Sequence, residues 1–180
     1  MFTKADAEAY FNGEKQESLL FIIVGVSAII AALILLFYFK HQWGKGAAWP
    51  LLFIGIVQLV IGYSVYTRSD AQRKDIVYKM DMNTDALIKE ELPRMEKVMS
   101  NFAIYKYIEI GLLVLGIAMF FYFRNQIDKQ FWMGLFAALV LQAGLMLLAN
   151  GFAERRGHKY LEGMTSVLQK GNEQGIRNKE

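Results

Sequence analysis

Hydrophobic positions in this chain gather into four long blocks, residues 18–39, 47–67, 103–123 and 131–149, separated by polar sequence. Within a block the apolar residues do not keep to one helical stripe, as they would in a helix with one face in water. Each block is long enough for a helix to cross a bilayer, which takes about 20 residues rising about 1.5 Å each over about 30 Å of hydrocarbon. The pattern predicts four transmembrane helices.

The polar stretches carry their own signals. Thr3 with Asp6 three residues on, then Ala7, Ala9, Tyr10 and Phe11, predicts a short capped helix ending at Asn12-Gly13. Helix 1 is expected from about Glu17 to Lys40, with two small-residue pairs, Ser27/Ala31 and Ala28/Ala32, suited to close helix approach. A tight glycine-bearing turn is expected over 41–46, with Trp43 and Trp49 at an interface and Pro50 in the first turn of helix 2. Ile76, Val77 and Met80 share a face, so helix 2 is expected to run on to about Met82. Asn83-Thr84 reads as a break, Thr84 as a cap for a turn or two through Leu92, and Pro93 as the opening of a long helix to 123. A second tight turn is expected around 125–130. Helix 4 then continues through Tyr160, Leu161, Met164, Val167 and Leu168 before Gly171 and Gly175 fray it.

The chain also matches itself. At a constant offset of 84 residues, Phe37-Tyr38-Phe39-Lys40 falls on Phe121-Tyr122-Phe123-Arg124, and Gln42, Lys45, Leu51, Gln58 and Met80 fall on Gln126, Lys129, Leu135, Gln142 and Met164. Asp70 falls on Glu154, which keeps the charge. An ungapped offset of this length marks a duplication. The expected fold class is therefore an all-α integral membrane protein, with four transmembrane helices as two parallel-repeat hairpins and helices 2, 3 and 4 extended into the cytoplasm. The expected divisions are 1–16, a cytoplasmic segment; 17–92 and 93–170, the two hairpins with their extensions; and 171–180, a tail.

Charge orients the picture. Lys and Arg number two in the N-terminal segment, seven in 68–102 and six in the tail, against four in the two short turns. The positive-inside rule puts both termini in the cytoplasm of a bacterial inner membrane. Acids accompany the bases in all three cytoplasmic stretches, which argues against nucleic acid as a partner. There is no cysteine, so disulfide, thiol-redox and cysteine–metal chemistry are excluded. A cleaved signal peptide is not expected, because the first block is too long for one and acids precede it.

Three groups of side chains are candidates for function. Gln58 and Gln142 sit midway along helices 2 and 4, where an unsatisfied amide is costly, and are expected to bond across the bundle or to form a ligand site. Lys106 and Glu109 are three apart on helix 3 and are expected to pair, or Glu109 to face Arg68, Arg155 or the tyrosines of helix 2. An inner collar holds Arg68, Asp70, Glu154, Arg155 and Arg156, with Asp70 and Glu154 expected to pair with bases of the opposite repeat and the rest to meet anionic headgroups. His41 and His158 are a membrane apart, so a bis-histidine haem is excluded, and no metal or other cofactor is expected.

In size and number of spans the chain resembles the small inner-membrane immunity proteins that protect bacteria from pore-forming toxins. That resemblance implies an interaction protein whose partners are the lipid bilayer, a protein in or beneath it, and a possible second copy. The alternative is an oligomeric channel or transporter with a midplane Gln58/Gln142 site. An intramembrane enzyme using Glu109 ranks last.

Overall fold

A computed structural model describes residues 2–83 and 87–177, with side chains through Ser166. The described residues are almost entirely helical and contain no strand. Four long helices make the fold: α1, Lys4–Phe37; α2, Gln42–Met82; α3, Leu92–Phe123; and α4, Gln130–Arg177. A π-helical turn, Leu87–Glu91, leads straight into α3, and a 3-10 turn, Ile127–Lys129, leads into α4. The start of α1 and the far end of α4 lie at one end, here the basal end, and the connections at 38–41 and 124–129 lie at the opposite, turn end. In cross-section α2 and α4 are the central pair, with α1 packed along α2 and α3 along α4.

At the start of α1 the capping box forms as the sequence suggests. Asp6 N–H donates to the Thr3 hydroxyl at 3.3 Å, and Thr3 N–H donates to the Asp6 carboxylate at 2.8 Å. The Thr3 hydroxyl also bonds to Asp6, and these bonds hold the Asp6 carboxyl below the usual range. The expected stop at Asn12-Gly13 does not occur, and α1 is one continuous helix. Gly13 has another use: a Cβ there would lie 2.9 Å from Cδ of Arg156, so its bare backbone makes room for that side chain.

The first connection also differs from expectation. The chain turns at residues 38–41 and α2 starts at Gln42, so Trp43 to Gly46 are helical and Pro50 lies inside the helix. The glycines serve packing instead of turning. A Cβ on Gly46 would sit 1.8 Å from the backbone oxygen of Phe131, and one on Gly134 would sit 2.0 Å from that of Trp43. The two central helices therefore touch backbone to backbone at the turn end. Gly25 and Gly55 face each other similarly between α1 and α2. Of the small-residue pairs on α1, Ala28 and Ala32 are buried against α2, whereas Ser27 is exposed.

α2 reaches Met82, and α3 carries Pro93 in its first turn, where its missing N–H costs nothing. The proposed cap at Thr84 and the face continued by Val167 and Leu168 lie outside the described residues and side chains. The backbone of α4 stays helical past Gly171 and Gly175 to Arg177. All four helices, α1 included, thus run well beyond their apolar blocks at the basal end.

Two kinds of surface result. Around the middle, large apolar side chains point outward, among them Phe53 at 72% exposure, Leu148 at 65% and Val114 at 61%. All four helices are long and apolar enough to cross a membrane. At the basal end the order is reversed: Phe2, Tyr10, Phe11, Ile76, Leu87, Met95, Tyr160 and Met164 form a compact buried core. The N-terminal part of α1 is built into that core, with the Tyr10 and Tyr160 rings stacked at 4.2 Å.

Candidate functional site

Two amide side chains inside the apolar girdle face inward. Gln58 on α2 and Gln142 on α4 are almost fully buried, and Gln58 Nε2 donates to Gln142 Oε1 at 3.2 Å. The two residues matched by the 84-residue offset meet each other on the seam between the central helices. The second oxygen of this pair, Gln58 Oε1, is buried without a partner.

Lys106 and Glu109 do not pair. The Lys106 ammonium crosses to Glu154 on α4, 2.6 Å from Oε1 and 2.5 Å from Oε2. Glu109 is buried and its Oε1 accepts a hydrogen bond from Asn150 Nδ2 on α4. Its other oxygen, Oε2, is buried and unpartnered. In place of the expected Arg68, Arg155 or helix 2 tyrosines, Glu109 meets Asn150, because α3 packs along α4. Asn150 directly follows the fourth apolar block, where a polar residue looks like the edge of the girdle. Nothing in a linear reading marks it as facing inward.

The collar below is laced by ion pairs, with a pattern that corrects the sequence expectation. Asp70 and Glu154 take their bases from their own hairpins. Lys15 of α1 bonds Asp70 of α2, as Lys106 of α3 bonds Glu154 of α4. That bond holds the Asp70 carboxyl below its ordinary range and lifts the Lys15 ammonium above its own. The link between hairpins is a different residue, Arg156, which pairs with Glu17 of α1 and lies over the Tyr10 ring at 5.5 Å. Arg68 stands 3.9 Å from Glu14, whereas Arg155 is exposed and makes no ion pair among the described residues.

A further polar group, in the basal core, escaped the sequence reading. Glu91 is 3% exposed and binds the Arg94 guanidinium through both oxygens at 2.6 Å, while the Tyr160 hydroxyl donates to its Oε1 at 3.0 Å. Burial, with Glu91 alongside, pushes the Tyr160 hydroxyl up, and burial pushes up Tyr10 as well. In the sequence Glu91 is one acid of a charged run, and its place between Arg94 and Tyr160 emerges only in the fold. Beside it a cleft of about 170 Å³ is lined by Gln72, Lys79, Glu90 and Arg94. Lys79 there bonds Asp75 and Glu90, which pushes its ammonium up to about 12.

Among the described residues no group of three or more His, Asp and Glu side chains could hold a metal ion. The arrangement is one of matched partners: amide to amide, lysine to glutamate, arginine fork to glutamate. Glu109 Oε2 stands out as a buried acidic atom with none. Comparison with protein-family models, with curated proteins and with solved structures finds no match.

Proposed function

We propose that the chain is a four-span integral protein of a bacterial inner membrane, built as two repeated helical hairpins with both termini in the cytoplasm, which acts by binding a membrane-active protein partner. The observation that carries this reading is the outward-facing apolar girdle. Soluble proteins rarely expose contiguous apolar patches beyond a few hundred Å², whereas here Phe53, Val60, Val114 and Leu148 all point away from the bundle. Lipid is the solvent such a surface fits. The basic residues concentrated at the basal end support a cytoplasmic location for that end. The contact of α2 with α4 through Gln58 and Gln142 supports a duplicated hairpin with the matched helices innermost.

Binding is favoured over catalysis or conduction because the polar groups of the girdle bond to one another. Gln58 and Gln142 act as interhelical glue, Lys106 anchors α3 to α4 through Glu154, and Arg68, Asp70, Arg155 and Arg156 form a charged collar at the cytoplasmic surface. The girdle faces then meet the helices of a pore-forming toxin, while the collar and basal bundle hold the protein in register with the headgroups. Nucleic acid is no part of the reading.

Expression in sensitive cells provides the test. The proposal expects survival against one pore-forming toxin encoded beside the gene and full sensitivity to unrelated ones. Sensitivity to every neighbouring toxin contradicts the immunity reading. Ion conductance of the protein alone in planar bilayers, changed by Gln58→Leu, would assign the pair to a channel instead.

A further inference from the structure

We propose that Glu109 is a proton-binding site, and that loss of its proton moves Lys106 from Glu154 onto Glu109. This inference rests on the membrane reading above, since lipid is what keeps the girdle dry. Glu109 is 4% exposed, its Oε1 is engaged by the Asn150 amide, and its Oε2 is buried with no hydrogen-bond partner. Its bonded neighbour is the neutral Asn150 amide, and Lys106, the lysine on its own helix, is held by Glu154. A carboxylate left in apolar surroundings without a counter-charge is far costlier than the neutral acid, so the group takes a proton as its ligand.

What happens on release follows from the neighbours. Lys106 lies three residues earlier on α3, on the same helical face, so its flexible stem can reach Glu109. In the structure it serves Glu154 instead, at 2.5 Å. From α4, Asn150, Glu154 and His158 stand along this seam, with His158 Nε2 3.9 Å from Glu154. The π-helical turn packed on the start of α3 brings Lys89, Glu90 and Glu91, about 27 Å further along the helix and too distant to take part. Among the described residues, Lys106 is the cation that shares a helix face with Glu109, and it is the one a deprotonated Glu109 recruits. Glu154, left behind nearer the basal end, retains water and the exposed His158 imidazole as partners. The proton on Glu109 and the Lys106–Glu154 bridge are two halves of one exchange.

Infrared spectroscopy of the full chain in lipid vesicles, titrated from acid to alkaline pH, reads this directly. The expected result is a carboxylic-acid carbonyl band at neutral pH that is absent from Glu109→Gln and fades as pH rises. Lys106→Met removes the recruited cation, so the fading moves to higher pH, by about 1–3 units, the range an opposite charge at contact produces. Glu154→Gln frees Lys106 for Glu109 and moves the fading to lower pH. These two variants leave Glu109 in place, so the test stands even where Glu109→Gln fails to fold. Absence of the band at neutral pH, or its persistence in Glu109→Gln, overturns the proton site. A midpoint unmoved in either of the other variants overturns the exchange. Retention of the protein in alkali-washed membranes checks the membrane reading separately, so the two failures are distinguishable.

Discussion

Gly46 and Gly134 set how near the two central helices come. With Phe131 and Trp43 backbone oxygens 1.8 and 2.0 Å from where a Cβ would be, even alanine requires the backbones to part. Gly46→Ala and Gly134→Ala are each expected to cost about 1–3 kcal/mol or more, read as a lower unfolding midpoint in mild detergent. An unchanged midpoint would mean the helices do not cross here. Gln58 and Gln142 behave differently, since removing one leaves the other buried and unsatisfied. A double-mutant cycle with Gln58→Leu and Gln142→Leu is expected to give a coupling of about 0.6 kcal/mol, up to about 1.7, with the double variant less impaired than the two single losses combined. These amides were legible in the sequence because a polar residue within an apolar run is conspicuous. Their mutual bond is geometry, and so is the partner of Glu109. Asn150 sits at the margin of its block, and the i,i+3 spacing of Lys106 and Glu109 suggested a local pair. The cross-helix partners on α4 proved the better placed.

At the scale of elements, the basal bundle is the part that local sequence described least well. Asn12-Gly13 resembles a helix end, yet α1 passes through it because Gly13 seats Arg156 and because Tyr10 and Phe11 have a core to join. Tertiary burial outweighs a weak local stop of this kind. The apolar face of 76–80 and the extension of α4 were legible from periodicity, but the segment that closes over them comes from the far end of the chain. Glu91 ties this core together. Glu91→Ala leaves the Arg94 charge without its buried partner and is expected to destabilise the basal bundle by about 3–5 kcal/mol, opening residues 68–102 to trypsin while the spans stay protected. The tyrosines add a pH dependence. Tyr10 and Tyr160 have hydroxyls pushed up from an ordinary value of 10.0. The unfolded chain therefore releases these protons first, and the stability present below pH 10 is lost as pH rises beyond it. In a phenolate absorbance titration the late-titrating component is expected to vanish in Tyr10→Phe and Tyr160→Phe.

For the molecule as a whole, the four apolar blocks announced the four long helices before any geometry. The 84-residue offset singled out Gln58 and Gln142, which meet on one seam. The order of helices across the bundle was not legible, because nothing in a linear pattern says which two of four apolar helices are central. Of the small residues that decide it, Gly46 looked like part of a turn and Gly134 lay unmarked within the fourth block. The proposed arrangement, an outward apolar girdle with a basal bundle in the cytoplasm, is tested most directly by topology. Reporters fused after Asp128, in the second turn, and at the C-terminus compare the two ends of the molecule. A periplasm-dependent reporter should be active at Asp128 and silent at the C-terminus, with a cytoplasm-dependent reporter giving the reverse. Periplasmic activity at the C-terminus, or recovery of the whole chain as a soluble monomer without detergent, would contradict it.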